Sequence, residues 1–406
     1  MNPKNISISD YSYHLPEDKI AKFPLDQRDQ SKLLLYKNGS ISDKHFYDLP
    51  RILPEKSLLV FNNSKVIHAR IVFQKISGTQ IEIFCLEPVS GNYKQALGST
   101  RTCNWNCMVG NAKRWKGEIL QKEIFFHDKT FILNAELTAQ SQENFTVRFS
   151  WDDETLHFAE VLSIAGLLPI PPYLNRDVTE ADEINYQTIF AKKEGSVASP
   201  TAGLHFTDTV LEQLKMKKIK STGLTLHVGA GTFKPVKSQI LEHHEMHSET
   251  VFVSIETLVN IKKALEKKRK VIPVGTTSLR TLESIYWHGV KLLSKIQTEP
   301  ILQLKQWEVY QLPGNYLAID AFNAVIINLI ENEKQELTGQ TQILIAPGYD
   351  FKVSDILITN FHQPNSTLLL LIAAWAGNDW TQIYAHALGN SYRFLSFGDS
   401  SILFKT

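Results

Sequence analysis

At 406 residues the chain exceeds one ordinary domain, and with 43% hydrophobic residues it has enough apolar side chains for complete cores and too many for a disordered protein. Its 43 Lys and Arg against 42 Asp and Glu leave a net charge of +1, which argues against a globally basic nucleic-acid binder while leaving room for a local basic face. Three cysteines cannot build a disulfide framework, so a reducing compartment is expected.

The first residues, "MNPKNISISDYSYHLPEDKI", lack a basic segment followed by an apolar core, and no signal peptide is read there. From Lys56 to Lys75, "KSLLVFNNSKVIHARIVFQK" carries β-rich runs interrupted by the turn signal "NNSK". Short β-rich stretches then alternate with turns up to about Ser150, which predicts a small antiparallel barrel or sandwich over 69–151. Beyond Trp151 the pattern becomes helix then strand. "TDTVLEQLKMKKIK" predicts a helix capped by Thr207, "GLTLHVGA" a buried strand, and "SIETLVNIKKALEKKRK" a helix. "VIPVGTTS" predicts another strand, and "LRTLESIYWHG" a helix closed by its glycine. The expected fold class is therefore α/β. Residues 1–68 and 152–406 form a large domain with a mostly parallel sheet, into which the β-rich segment is inserted. Residues from about Val290 to Gln340 read as a local elaboration with one amphipathic helix, "AIDAFNAVIINLIENEK". The most apolar run, Ser366 to Gly377, falls short of the roughly 20 residues that span a bilayer. A soluble cytoplasmic protein without a membrane partner is expected.

Three loops carry the chemistry. "LTLHVGAGTFKPV" opens like a dinucleotide cradle, but Lys234 stands where the third glycine belongs and Pro235 continues extended chain, so it reads as a glycine-lined wall. "GSVASPTAGLHFT" is rich in small residues and ends at a helix start, where free N–H groups hold anions; an ordinary loop and cap is the alternative. In "VGTTSLRTLES", Arg280 opposes the helix dipole from the first turn. Either an anionic partner or a salt bridge to a nearby Glu explains it.

Histidines His205, His227, His243, His244, His247 and His362 gather around these loops and suggest proton transfer or polar recognition. A zincin arrangement in "EHHEMHSE" is disfavoured because His244 stands where the catalytic Glu would follow His243, and Cys103 and Cys107 have no second pair; no metal is expected. The lysines between Lys215 and Lys270 are either solvated helix faces or a face for RNA phosphates. Trp105 and Trp115 are either stacking platforms or barrel core.

These motifs together resemble the S-adenosylmethionine:tRNA ribosyltransferase-isomerase family of the queuosine pathway. The resemblance runs in order from "YHLPEDKIAKFPLDQRDQSKLLLY" through "LVFNNSKVIHAR", "LPIPPYLNR", "YQTIFAKKEGSVASPTAGLHFT", "TLHVGAGTFKPV", "HEMHSE" and "VGTTSLRTLES" to "IAPGYDFKVSDILITNFHQPNSTLLLL" and "YRFLSFGDSSIL". It implies that S-adenosylmethionine is consumed as a substrate, with no separate cofactor. Its ribosyl part passes to 7-aminomethyl-7-deazaguanine in the anticodon region of a tRNA, leaving epoxyqueuosine-tRNA, adenine and methionine. Under that resemblance the proton steps are assigned to His205 and His227, supported by His247 and Glu249. Arg280 is assigned to the methionine carboxylate. Thr201, Gly203, Phe206, Gly229, Gly231, Thr232, Phe233, Thr276 and Thr277 line the substrates, with Asn360, His362, Arg393 and Asp399. A monomer is expected.

The chain departs from the family pattern at Asn63, Lys65 and His68, where an acid, an arginine and a proline are usual, and at Ser199, where alanine is common. It departs again in the insertion at "VGNAKRWKGE" and in the 290–340 segment. Two alternatives stay open at this stage: a paralogous transferase with another acceptor, and a non-catalytic RNA- or adenosyl-binding protein.

Overall fold

The computed structural model describes residues 2–141, 144–229, 236 and 238–405. "LLVFN", "VIPV" and "ILITN" are almost continuously apolar, the pattern of strands buried on both faces, and they form the centre of a ten-stranded sheet. Lys220–His227, Leu58–Asn62, Val271–Val274 and Ile356–Asn360 lie side by side, all parallel. Ser400–Phe404, Lys32–Lys37 and Ser40–His45 extend the sheet on one side, and Glu249–Ser254, Glu336–Thr341 and Ile301–Leu304 on the other, with antiparallel pairings mixed in.

Alternate residues of the central strands feed two cores, as the pleat requires. Leu58 and Val60 pack with the helices Ile255–Glu266, Gly275–Leu293, Ala318–Glu331 and Thr367–Ala376. Leu59, Ile272, Ile356 and Ile358 pack with Val210 and Leu214 of Asp208–Met216 on the opposite face. That last helix begins as read, with the Thr207 hydroxyl accepting from the Val210 amide.

Six antiparallel strands, Arg70–Gln74, Gln80–Pro88, Thr102–Gly110, Phe145–Trp151, Lys129–Gln140 and Leu120–Phe126, form a second sheet that curls until its first and last strands meet. Its core holds the buried Trp105, Trp115 and all three cysteines, so both tryptophans are packing residues. Phe158, Val161 and Leu162 of the helix Phe158–Ala165 also enter that core, carrying the packing past the last strand.

Two sequence expectations change. Gly289 does not end its helix, which runs on to Leu293. A Cβ at Gly289 would lie 2.2 Å from the Ala321 carbonyl oxygen of Ala318–Glu331, so the glycine is there for close helix–helix approach. The 290–340 segment likewise exceeds a local elaboration: Ile301–Leu304 and Glu336–Thr341 are strands of the main sheet, and Phe322, Val325 and Leu329 are fully buried beside it. The lysine-rich stretches sit where the central strands begin. Lys220 starts one strand, and Lys56 and Lys270 immediately precede or flank two others. No helix among the described residues is long and apolar enough to cross a membrane.

Replacing Gly289 by Ala forces the two helices apart and is expected to cost about 3 kcal/mol. A urea midpoint identical to that of the unaltered chain would refute the close-approach role.

Candidate active site

The central strands are parallel, so they finish at one edge, and in open α/β sheets that carboxyl-end edge is where ligands bind. Here the ends of Val271–Val274 and Ile356–Asn360, and Val228 just beyond Lys220–His227, open on a cleft. One wall is the start of the 19-residue helix Gly275–Leu293. Gly275 has φ +88°, a left-handed turn that suits glycine. No side chain caps this helix, so its first N–H groups and positive dipole end face the cleft beside Thr276 and Thr277. The Thr277 hydroxyl is buried with no partner among the described residues. The second wall is Ser199 to Ala202, including Thr201; the third is Asn360, His362, Gln363 and Ser366.

Asn360 joins this cleft to a smaller cavity behind it. Its Oδ1 accepts from the Thr201 hydroxyl at 2.9 Å, and its Nδ2 donates to His205 Nε2 at 3.3 Å. With Nε2 accepting, His205 carries its proton on Nδ1 and gives it to Ser31 Oγ, 2.9 Å away. Burial pulls the His205 imidazole down to about 4, so it is neutral at physiological pH, and the charges of Arg393 and Arg28 act in the same direction. His205 itself lines the smaller cavity, not the cleft. His362 is neutral too, lowered by burial to about 3, with Nε2 held 3.0 Å from Thr359 Oγ1 and its backbone N–H donating to Tyr384.

The wall between the two cavities is a clasped turn. Asp399 accepts backbone N–H groups from Lys32 at 2.8 Å and Arg393 at 2.7 Å, and Gly398 leaves no room for a Cβ against the Arg393 carbonyl at 2.5 Å. Within this turn Leu395 is held at φ +69°, uncommon for a bulky side chain. The turn aims the Leu395 carbonyl at Asn360 Nδ2, 3.4 Å away, and places Ser396 on both cavities, 2.5 Å from the Tyr173 hydroxyl. Asp399 therefore acts on the backbone, while Arg393 faces the smaller cavity.

His227 ends its strand but turns away from the cleft. Its ring packs 4.4 Å from Tyr93 in a groove between the large sheet and the helices Tyr93–Leu97 and Phe158–Ala165. Gly195 makes room, since a Cβ there would lie 2.8 Å from both rings. Burial lowers His227 to about 4. At the same end of the sheet, Glu249 is completely buried between His247, 3.4 Å from one oxygen, and Arg280, bonded to the other. Burial alone would raise the Glu249 carboxyl; the Arg280 charge and His247 outweigh it and leave the group ionised. Arg280 Nε also reaches the Ile343 carbonyl at 3.3 Å, so of the two sequence readings the structure supplies the salt bridge. Only Arg280 Nη2 is left without a partner among the described residues.

Other expected residues take different places. Phe206 is fully buried, edge-on to Phe46 and Phe190 in the core, and offers no surface to a ligand. Gly203 packs under Thr188, where a Cβ would come within 3.0 Å. Gly229 is half-buried beside Val228, and Gly231, Thr232 and Phe233 lie outside the described residues. His243 ends a single short turn, Leu241–His243, and the chain beyond it is not helical, so His243 and His247 share no helix face. Sequence reasoning did not select Tyr173, Gln363, Ser366 or Ser396, although each lies inside a quoted motif. Ser199, where the resemblance favours alanine, puts a buried hydroxyl on the cleft wall. Asn63 instead accepts from the Thr225 hydroxyl, Lys65 pairs with Glu194 and His68 with Glu183; none of these three lines the cleft.

A mixed sheet with a cleft at its strand ends, walled by a helix N-terminus, polar side chains and the neutral His362, belongs to the α/β enzymes. The model of the family described as queuosine biosynthesis protein matches residues 8–403. Curated relatives named S-adenosylmethionine:tRNA ribosyltransferase-isomerase, from an Azoarcus species and from a Sulfurihydrogenibium species, are each 36% identical; they align with 98% of this chain and with 97% and 100% of their own lengths. A crystal structure of S-adenosylmethionine tRNA ribosyltransferase from Thermotoga maritima is 26% identical, with 98% of this chain and 100% of that one covered at a TM-score of 0.47. The chain belongs to the queuosine biosynthesis protein family, and it is an enzyme.

The neutral histidines give a pH signature. In the folded chain His205 and His227 stay unprotonated down to about 4, whereas in the unfolded chain they take protons near the ordinary 6.5. Between those values the unfolded state binds more protons. Their contribution to stability is thus complete above pH 6.5 and is lost as pH falls toward 4. Urea unfolding of the unaltered chain and of His205→Gln should diverge less at pH 5 than at pH 7.5; a pH-independent difference would contradict a neutral buried His205.

Proposed function

We propose that the chain transfers and isomerises the ribosyl part of S-adenosylmethionine onto 7-aminomethyl-7-deazaguanine in the anticodon region of a tRNA, releasing adenine and methionine and leaving epoxyqueuosine. The observation that carries this reading is the cleft itself. An uncapped helix N-terminus with two threonines stands across from the Asn360–His205 pair, in a chain whose full-length relatives are named S-adenosylmethionine:tRNA ribosyltransferase-isomerase.

The methionine carboxylate suits the first turn of Gly275–Leu293, where N–H groups and the dipole favour an anion. Arg280 is committed to Glu249 and supports that wall from behind. Its charge is balanced, so the sulfonium does not meet an uncompensated cation there. The sulfonium acidifies the C5′ hydrogens, and a neutral acceptor can remove one. His362 lies in the cleft wall, and His205 acts through Asn360, which it holds in one orientation. Adenine then leaves C1′ with a proton on its ring. The aminomethyl nitrogen of the base bonds to the ribosyl fragment, and closure of the epoxide expels methionine as a neutral thioether. The sequence consumes S-adenosylmethionine as a reactant and calls on no metal or redox cofactor. The departures at Asn63, Lys65 and His68 lie away from the cleft, so they leave the donor chemistry untouched.

Incubation with S-adenosylmethionine and tRNA carrying the aminomethyl-deazaguanine should release one adenine for each modified nucleoside. Asn360→Leu, which strands His205 Nε2 and the Thr201 hydroxyl, is expected to lower kcat by roughly 10²-fold. Adenine release without the expected nucleoside would point to another acceptor, and unchanged kcat in Asn360→Leu would remove the pair from the mechanism.

A further inference from the structure

Behind the Asn360 wall lies the smaller cavity, formed where the N-terminal segment, the Asp182–Asn185 turn and the clasped turn at Arg393 converge. Arg28, Arg393, Ser31, Asn185, His205 and Ser396 supply all its polar lining. No carboxylate borders it. Arg28 is half-buried and bonds only carbonyl oxygens, those of Gln187 at 2.9 Å and Ile184 at 2.6 Å, with no acidic partner among the described residues. Arg393 bonds the Phe23 carbonyl at 3.3 Å, and its ion pair with Asp399 is long, 3.9 Å, to a carboxylate already occupied by two backbone N–H groups. Two guanidinium groups thus face one cavity whose lining includes no carboxylate. The neutrality of His205 fits this arrangement, since both charges oppose its protonation.

We infer that this cavity is a phosphate subsite for the RNA strand: Arg28 and Arg393 hold a phosphodiester of the nucleotide whose base lies in the cleft. The inference rests on the proposed tRNA substrate. Guanidinium forks match the paired non-bridging oxygens of a phosphodiester, and Ser31, Asn185 and Ser396 add neutral polar groups around them. Ser396 borders both cavities, and His205 reaches the cleft through Asn360, so a base in the cleft and its backbone in the side cavity are neighbours across one residue. The carboxylate of the sulfonium substrate is the competing oxyanion, but the larger cleft already offers it a helix N-terminus.

Because phosphate contacts release counterions, the test reads salt dependence as well as affinity. Arg28→Gln, Arg28→Lys and Arg393→Gln are compared with the unaltered chain by filter binding of tRNA bearing the aminomethyl-deazaguanine, by equilibrium dialysis of S-adenosylmethionine, and by calorimetric Tm to verify folding. Arg28→Gln should weaken tRNA binding about tenfold and reduce the slope of log K against log salt by about 1. Arg28→Lys should recover part of the affinity, and S-adenosylmethionine binding should hold within about twofold. If Arg28→Gln is not folded, Arg28→Lys and Arg393→Gln carry the same comparison. A loss of S-adenosylmethionine affinity with tRNA binding intact would overturn the phosphate assignment in favour of the carboxylate. Folded variants that bind both substrates normally would overturn the subsite alone. An unaltered chain that neither binds tRNA nor releases adenine would overturn the proposed function with it.

Discussion

Strands that are parallel and covered on both faces must end together, and that constraint sets the rest of this molecule. Each crossover returns the chain to the same starting edge, so the loops that follow the central strands collect at the other. The basic, helix-terminating lysines lie at the starting edge, and the small polar residues of the cleft lie at the finishing one. The sheet's hydrophobic cores fix where Val274 and Asn360 stop, to within the spacing of adjacent strands. From there the helix start at Gly275 and the Asn360 amide need no flexible loop to bring them together.

Protonation at this edge follows from burial. The imidazoles of His205, His227 and His362 are all kept neutral by desolvation, while the ionised groups nearby are paired or arginine. A neutral imidazole that accepts from an amide holds that amide in one orientation, and Asn360 has a partner on each side to make the choice unique. The strained Leu395 is tolerated for a related reason. The Asp399 clasp, the Gly398 turn and the bond from the Leu395 N–H to the Phe361 carbonyl over-determine its backbone.

What the sequence revealed depended on how local the cause was. Strands such as "VIPV" and the Thr207-capped helix were legible because apolar runs and caps act within a few residues. Gly289 was misread as a helix stop because the reason for it, the Ala321 carbonyl, is 32 positions away in the chain. "ELTGQT" carries too little apolar character to announce a sheet strand, and its place comes from pairing on both sides. The same distinction separates the site residues. Thr276 and Thr277 stood out at a helix start and His362 among the gathered histidines, Asn360 came only with the family resemblance, and Tyr173 and Ser396 meet only through tertiary folding, 223 positions apart.

Arg280 shows why a charge in an unfavourable place does not identify its own partner. In the first turns of a helix a guanidinium requires an anion, and the sequence allowed either a ligand or a carboxylate. Glu249, completely buried and 31 positions earlier, fills that requirement. Without Arg280 that carboxylate would be stranded in the interior, a loss of about 3–5 kcal/mol. The pair therefore braces the wall from which the helix N-terminus addresses the cleft. Arg28 is the opposite case: nothing in "PLDQRDQS" singles it out, yet folding brings it to Arg393 with only backbone oxygens for company. A cation whose internal needs are met is a structural element, and one left facing a cavity beside a second cation is a place for an anion from outside.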